Sequence, residues 1–262
     1  MSAAAMHVAK TGLNAQQMKM QVIANNLANV NTTGFKRDRV NFESLLYQVS
    51  KTAGAETADG TSLTSSSSVG TGVRIVNTQK LYTQGSLVAT ENAMDVAVDG
   101  DGFFQILLPD GRTGYTRNGS FSPDADGILT TSSGYMLQPQ IQVPPSAQEI
   151  NISGNGQVTA LVAGTPEPVN LGQITISTFM NPRGLQAIGE SFAVETTASG
   201  PAEEGVPISN GYGKLVQGYL EGSNVNVVQQ LVDMIETQRA YEVSSKAITA
   251  SDEMMRYINN NL

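Results

Sequence analysis

The chain has 262 residues, of which 40% are hydrophobic and 15% are charged, with a formal net charge of −8 at pH 7. The acidic balance and the lack of any basic run longer than Lys36-Arg37 predict no nucleic-acid binding. The absence of cysteine excludes disulfides, thiolate metal sites and cysteine nucleophiles. No segment approaches the roughly 20 apolar residues of a membrane span, and the first residues lack the pattern of a cleavable signal peptide.

The N-terminal region has the apolar periodicity of a helix. Apolar or small residues recur with the 3–4 spacing of a heptad, and Gln16 is its one polar interruption. The helix should fray near residues 29–31, where Asn recurs, because Asn is a poor helix former. Gly34 follows as a plausible stop. The positions of this seam are Met6, Ala9, Leu13, Met20, Ile23, Leu27 and Val30.

Residues 51–70 differ from both neighbouring regions. Their second half is a low-complexity run of Ser and Thr at residues 61–68. A polar run of this kind is typical of a long loop or an extended arm.

The middle of the chain is predicted to be mainly β. All ten prolines lie between Pro109 and Pro207, and alternating apolar runs occur at residues 94–98 and 104–108. Turn dipeptides at fairly regular spacing predict hairpins in a sandwich or an open barrel. These turns are Pro109-Asp110-Gly111, Asn118-Gly119, Asp126-Gly127 and Asn155-Gly156.

The sequence has only weak matches to metal-binding and catalytic motifs. The Asp-Gly repeats at residues 99–102 and 124–127 have Phe103 and Ile128 at the fifth loop position, where an EF-hand needs an oxygen ligand. The single His7 cannot serve a Ser-His-Asp triad in any usual way. A carboxylate pair for glycoside hydrolysis stays open, because the 23 acids are scattered. We expect no enzyme activity, no cofactor and no catalytic or metal-binding residues.

The C-terminal region repeats the helical pattern over about five heptads. Val228, Val232 and Ile235 widen the stripe at its start, and Asn226 with Gln229 is a candidate N-cap and capping box. Its apolar seam is Val227, Leu231, Met234, Tyr241, Ile248, Met255 and Leu262, and its polar members are Gln238, Ser245, Asp252 and Asn259.

Two terminal helices of this composition would be marginal alone, because most helical stability comes from packing. They need a partner, which is either each other or a neighbouring chain. Opposite net charges on residues 7–33 and 223–262 favour their lying together, although exposed pairs contribute little each. An amphipathic helix that simply completes its own domain's core remains the alternative.

The sequence therefore predicts an α+β fold. Long terminal helices form a coiled-coil-like inner domain from residues 1–34 and 223–262. A linker and extended arm covers residues 35–72, and a central, mainly-β domain covers residues 73–222.

Several blocks resemble the flagellar basal-body rod and hook family. They are residues 24–37, 99–104, 115–121, 218–226 and 231–242, in the family's order along the chain. The residues that carry the resemblance at the two ends are Asn25, Asn26, Leu27, Asn29, Gly34, Phe35, Ser223, Asn224, Val225, Asn226, Gln238, Arg239, Ala240 and Tyr241.

The resemblance implies a structural subunit of the distal rod, a hollow helical shaft that transmits torque from motor to hook. Implied partners are further copies of the chain, proximal rod proteins, the hook protein, the peptidoglycan and outer-membrane ring proteins, and the type III export apparatus. The subunit would be exported without a cleaved signal, into a rod that crosses the periplasm to the outer membrane. The arm at residues 51–70 would serve contacts between subunits. Alternatives are another mid-sized axial protein, of proximal-rod or hook type, or a secreted β-rich fibre.

In this interpretation the helical seams carry the contacts between subunits. The residues predicted for this role are Leu13, Met20, Ile23, Leu27, Val30, Val227, Leu231, Met234, Ile235, Tyr241, Ile248 and Met255.

Overall fold

The computed structural model describes residues 2–51, 66–163, 167–209 and 211–260. Two long helices, α1 (Ser2–Ala28) and α2 (Val227–Asn260), flank a strand-rich middle. The α+β class predicted from the sequence is confirmed. Leu262 and most of the predicted arm, residues 52–65, lie outside the described residues.

Helix α1 ends close to residues 29–31, where the sequence predicted that it would fray. The helix ends at Ala28, and Asn29 then closes a turn in which its carbonyl oxygen accepts from Thr32 N at 3.2 Å. Gly34 is not the helix stop, because it lies six residues beyond that end. It has φ +69°, and a Cβ placed on it would lie 2.6 Å from Asn118 N. Close approach of two backbone segments therefore requires this glycine.

The start of α2 has the predicted N-cap but not the reciprocal bond of the predicted capping box, because the Gln229 side chain bonds to Asp233 instead. Asn226 Oδ1 accepts from Gln229 N at 3.1 Å, and Asn226 O accepts from Gln230 N at 3.0 Å. This geometry satisfies an N–H group that the first turn of a helix otherwise leaves unpaired. The side-chain amide of Gln229 donates to Asp233 Oδ1 at 3.0 Å.

Short strands make up the middle of the described chain, with one 3-10 turn at Pro182–Gly184. The strands are β1 (Asp38–Ser44), β2 (Tyr47–Lys51), β3 (Ser67–Gly70), β4 (Val73–Lys80), β5 (Leu87–Ala89), β6 (Val96–Asp99), β7 (Phe103–Leu107), β8 (Thr113–Thr116), β9 (Phe121–Pro123), β10 (Leu129–Thr131), β11 (Met136–Gln138), β12 (Ala147–Ile152), β13 (Gln157–Val162), β14 (Val169–Gln173), β15 (Ile176–Thr178), β16 (Gln186–Gly189), β17 (Phe192–Val194), β18 (Glu203–Gly205), β19 (Lys214–Gln217) and β20 (Tyr219–Glu221).

Within the described residues the largest sheet has nine strands. Its main path is β16-β17-β8-β7-β11-β10-β9, with β15 pairing β7 and β18. A second sheet has the order β12-β13-β14, and the pairs β1-β4, β2-β3, β5-β20 and β6-β19 stand as two-stranded sheets. The expected sandwich or open barrel stays a prediction.

Three of the four predicted hairpin turns are confirmed. Residues 109–111, 126–127 and 155–156 join strands that pair with each other. The prediction for Asn118-Gly119 is wrong, because it joins β8 to β9, which pair with other strands. A Cβ on Gly119 would collide with Val96 O, so this glycine also permits a close backbone approach.

The chain forms two compact units. The terminal unit comprises Met1–Leu27, Asp38–Gln79 and Asn226–Leu262, and the central unit comprises Ala28–Arg37 and Lys80–Val225. The three-part division expected from the sequence remains a proposal.

The core of the central unit is apolar. Phe104 and Phe121 meet edge to face, with ring centroids 5.2 Å apart. Fully buried Val96, Ile174 and Ile176 belong to the same cluster. The central β region thus has a core of its own.

The close backbone approach at Gly34 predicts how a substitution there changes the stability of the central unit. Gly34→Ala should lower the free energy of unfolding more than Gly111→Ala does. Both residues have positive φ, which costs an L-residue about 1–2 kcal/mol, but a Cβ on Gly111 meets nothing within 4 Å. Urea unfolding followed by circular dichroism gives the comparison. Equal destabilisation by the two variants would refute the close-approach account of Gly34.

Candidate functional site

Among the described residues, two pairs of positions place α1 beside α2 in the terminal unit. Asn26 Nδ2 donates to Gln230 Oε1 at 3.0 Å, and a Cβ placed on Gly12 would lie 3.7 Å from Ser244 Oγ. From the first contact to the second, the position moves from 26 back to 12 on α1 and from 230 forward to 244 on α2. The helices therefore run antiparallel along this line, over about two heptads.

This line of contact is polar. The two contacts fall on Gln230 and Ser244 of α2, and Thr237 and Ser251 continue the same seven-residue spacing. Three of these four side chains are buried, and Ser244 is half-buried. The corresponding α1 positions are 12, 19 and 26.

The contact line lies beside the predicted apolar seam. Contact positions 12, 19 and 26 each precede a predicted seam residue, namely Leu13, Met20 and Leu27. The same offset relates Gln230 to Leu231. One residue is about 100° around a helix, so these four seam residues lie to one side of the line on which α1 meets α2, whereas seam residue Ile23 is buried.

Much of the α2 seam is consequently exposed. Leu231 keeps 44% of its surface accessible and Ile235 keeps 50%. With the exposed Val227, Val228 and Val232, these two residues form what we call the α2 apolar patch. A contiguous exposed apolar patch typically marks an interaction surface.

The other predicted seam residues vary in burial. Tyr241 is exposed, Ile23 is buried, and the half-buried members are Met6, Ala9, Leu13, Met20, Leu27, Val30, Met234, Ile248 and Met255. Val30 belongs to the central unit and the others to the terminal unit.

Two of the motif blocks meet inside the central unit. Arg37 N donates to Asn224 Oδ1 at 2.8 Å, and Gly34 N donates to Glu221 O at 2.8 Å. The Asn224 amide donates in turn to Leu81 O at 2.8 Å and Thr83 O at 3.0 Å. The segment after α1 is thereby joined to the segment before α2.

The remaining motif residues are distributed between the units. In the central unit, Lys80 Nζ lies 5.0 Å from the centre of the Phe35 ring, Ser223 Oγ accepts from Val225 N, and Asn29 is half-buried. In the terminal unit Asn26 is buried and Leu27 and Ala240 are half-buried, whereas the exposed members are Asn25, Asn226, Gln238, Arg239 and Tyr241.

A buried ionic cluster lies beside this junction. Lys36 Nζ is 2.6 Å from Glu221 Oε1, and Arg117 Nη1 is 3.6 Å from Glu221 Oε2, with each side chain 3% exposed or less. Glu221 Oε1 also accepts from Gly85 N at 2.8 Å. Lys36 donates to Thr83 O at 2.8 Å.

The cluster holds two cations and one anion. Burial lowers the pKa of Lys36, and attraction to Glu221 only partly opposes that shift. Burial lowers the pKa of Arg117 in the same way. Glu221 Oε2 and Arg117 Nε have no hydrogen-bond partner. Glu221 is thus the anion on which both buried cations depend.

Sequence reasoning did not single out these three charged residues. Each lies inside a block that carried the family resemblance, at residues 24–37, 115–121 and 218–226. The available signal was the presence of charged side chains inside motif blocks otherwise rich in Gly and Asn.

The described residues contain no group of three or more His, Cys, Asp or Glu side chains placed to hold a metal ion. Among the described residues, neither helix has an apolar stretch that could span a bilayer.

Comparison with known families matches three regions of the chain. Residues 6–36 match the flagella basal body rod protein family, residues 97–160 match the flagellar hook protein FlgE/F/G D1 domain, and residues 216–261 match the flagellar basal body rod FlgEFG protein C-terminal region. Each region contributes one member of the ionic cluster.

Similar whole proteins cover nearly the full chain. The flagellar basal-body rod protein FlgG of Buchnera aphidicola subsp. Schizaphis graminum is 49% identical over 252 residues, covering 96% of this chain and 97% of the relative. FlgG of Bacillus subtilis is 37% identical over 257 residues, covering 95% and 96%. The flagellar hook-basal body complex protein FlhP of Bacillus subtilis is 29% identical over 269 residues, covering 97% and 98%.

The ionic cluster predicts an order of variant stabilities. Glu221→Gln should lower the free energy of unfolding of the central unit by about 3–5 kcal/mol, because it leaves two unpaired buried cations. Lys36→Met should lower it less, because Glu221 and Arg117 still balance each other. Thermal unfolding followed by circular dichroism measures both variants.

Arg112→Gln serves as the control for the cluster. Arg112 pairs with Asp110 on the surface, so its loss should leave the thermal midpoint unchanged. A Lys36→Met variant that is less stable than Glu221→Gln would contradict the role given to Glu221.

Proposed function

The chain belongs to the family of flagellar basal-body rod proteins, and we propose that it is the structural subunit of the distal rod. The similarity to rod proteins over nearly the whole chain carries this conclusion. Within Bacillus subtilis, the chain is more similar to the rod protein than to the hook-basal body complex protein. This difference favours the distal rod over another mid-sized axial protein.

The subunits polymerise helically into a hollow shaft. The α2 apolar patch supports this proposal, because its side chains are exposed in the single chain and lose water contact when a neighbouring copy covers them. The terminal helices form the inner layer of the shaft, as an antiparallel coiled-coil pair, and the central β region forms the outer layer.

The proposed partners follow from the position of a rod. The shaft contacts the proximal rod proteins at one end and the hook protein at the other, and it turns inside the peptidoglycan and outer-membrane rings. The subunit reaches this site through the flagellar type III export apparatus, without a cleaved signal. Its role is to transmit torque, with no catalytic step.

A shaft that transmits torque needs subunits that resist internal shear. The buried Lys36–Glu221–Arg117 cluster supports this role, because it joins three distant segments of the central unit. Polar groups buried together hold a defined arrangement, since any displacement leaves a charge unpaired.

Genetic complementation tests the assignment directly. Expression of this chain in a bacterium that lacks its own distal-rod protein should restore hook assembly and swimming on soft agar. Rescue of a strain that lacks a proximal-rod protein, with no rescue of the distal-rod strain, would overturn the assignment.

The α2 apolar patch predicts an effect on polymerisation alone. Leu231→Ala should raise the critical concentration for assembly roughly tenfold or more, since burying a Leu side chain is worth about 1.5–3 kcal/mol. The thermal midpoint of the free subunit should stay unchanged, because Leu231 is exposed there. Sedimentation across a concentration series measures assembly.

Lys246→Gln is the matched control, since Lys246 is an exposed residue of the same helix outside the patch. Its critical concentration should equal that of the unaltered chain. Normal assembly of Leu231→Ala would remove the α2 apolar patch from the subunit interface.

A further inference from the structure

Asn26 makes an unusual set of contacts at the end of α1. Its side chain is 2% exposed. The Nδ2 group donates to Asp38 O at 2.9 Å, and Oδ1 accepts from Asp38 N at 2.8 Å. The amide thus pairs with the Asp38 backbone as a neighbouring strand would. Its second N–H donates to Gln230 Oε1 at 3.0 Å.

Gln230 is engaged on both ends of its amide. It is 4% exposed, its oxygen accepts from Asn26, and its Nε2 donates to Asp233 Oδ2 at 3.3 Å. A buried amide that loses its partner is destabilising, because it no longer has the water contacts that would replace the bond. The Asn26–Gln230 contact therefore penalises any alignment that separates the two residues.

The other residues of the contact line hardly favour one alignment of α1 on α2 over another. Thr237 Oγ1 donates to Asp233 O at 2.6 Å, and Ser244 Oγ donates to Ala240 O at 2.9 Å. Both hydroxyl groups bond within α2 itself. Gly12 has no side chain to place. A slide of α1 by one heptad would again place Gly12 opposite a hydroxyl residue, Thr237 or Ser251. It would move Lys19 from Thr237 to Gln230 or Ser244 and separate Asn26 from Gln230.

We propose that the Asn26–Gln230 hydrogen bond determines the register of the terminal helix pair. It selects one antiparallel alignment of α1 on α2, as a buried polar residue selects the register of a coiled coil. The selected register fixes which apolar positions, Leu231 among them, are presented to a neighbouring copy. The inference deepens the proposed rod function and rests on it for that last consequence.

Disulfide trapping tests the register in a chain without native cysteine. The pair Gly12→Cys with Ser244→Cys reports the observed alignment. The pairs Gly12→Cys with Thr237→Cys and Gly12→Cys with Ser251→Cys report slips of one heptad in either direction. Each reporter is equilibrated in a glutathione redox buffer, and intrachain cross-links are quantified by mass spectrometry of peptides.

The test variant is Gln230→Met, which removes the contact to α1 while Asn26 keeps both bonds to Asp38. The ratio of native to slipped cross-links should fall about fivefold or more, the factor that corresponds to losing one hydrogen bond of about 1 kcal/mol. The control is Gln229→Met, since Gln229 is an exposed amide one residue away. The control should keep the unaltered ratio.

Gln230→Ser is the second variant, because it resembles the hydroxyl residues elsewhere on the line and does not depend on fitting a methionine. It should shift the ratio in the same direction. An unchanged ratio in both variants would overturn the proposal, and so would a native reporter that never cross-links in the otherwise unaltered chain.

Different outcomes would refute the register proposal and the proposed rod function. A chain with the native cross-link that forms no polymer would refute the proposed function and leave the register inference intact. Polymers that form normally in both Gln230 variants despite a slipped register would refute only the link from register to the presented surface.

Discussion

Glu221 is the residue on which the central unit depends electrostatically. Its carboxylate faces Lys36 and Arg117, and all three side chains are almost fully buried. The members lie 81 and 104 residues apart along the chain, at positions 36, 117 and 221. Neither Lys36 nor Arg117 can be buried at low cost until Glu221 has arrived, because an unpaired buried charge is strongly destabilising. The cluster therefore couples both ends of the central unit to its middle.

The residues around the cluster explain the composition of the motif blocks. Asn224 accepts from Arg37 N and donates to carbonyl groups of residues 81 and 83. Gly34 allows the backbone to approach Asn118. An amide that both donates and accepts, and a glycine without a side chain, are the residue types that such backbone junctions need. Half-buried Asn224 and buried Gly34, residue types that are common in exposed turns, here hold two backbone segments together.

The sequence predicted what depends on local periodicity. Both helices, the N-cap at Asn226 and three hairpins follow from spacing and turn chemistry within a few residues. The sequence did not predict which face of each helix contacts the other helix, because periodicity marks the apolar face without showing which partner covers it. The line through Gly12 and Ser244 is one residue from the predicted seam and consists of small and polar side chains. The ionic cluster was missed for a related reason, since nothing local links Lys36 to Glu221. Asn118-Gly119 has a hairpin's sequence, yet a tertiary approach to Val96 is what requires its glycine.

The polar contact line and the α2 apolar patch lie on two faces of one helix. The first face contacts α1, and the second is the one proposed to contact a neighbouring copy. If α1 and α2 packed through their apolar seams, the apolar side chains would be buried within each chain. A neighbouring copy would then contact mostly polar side chains. With the contact line on Asn26, Gln230 and hydroxyl residues, the helix pair is specific but weakly held, since a neutral hydrogen bond contributes only about 1 kcal/mol. The patch around Leu231 then remains exposed, where burial by another copy adds stability in proportion to area. If a neighbouring copy covers that patch as proposed, the contact stabilises α2 and, through Gln230, the alignment of α1 beside it. On the proposed function, a subunit built in this way would gain helical stability when it joins a polymer.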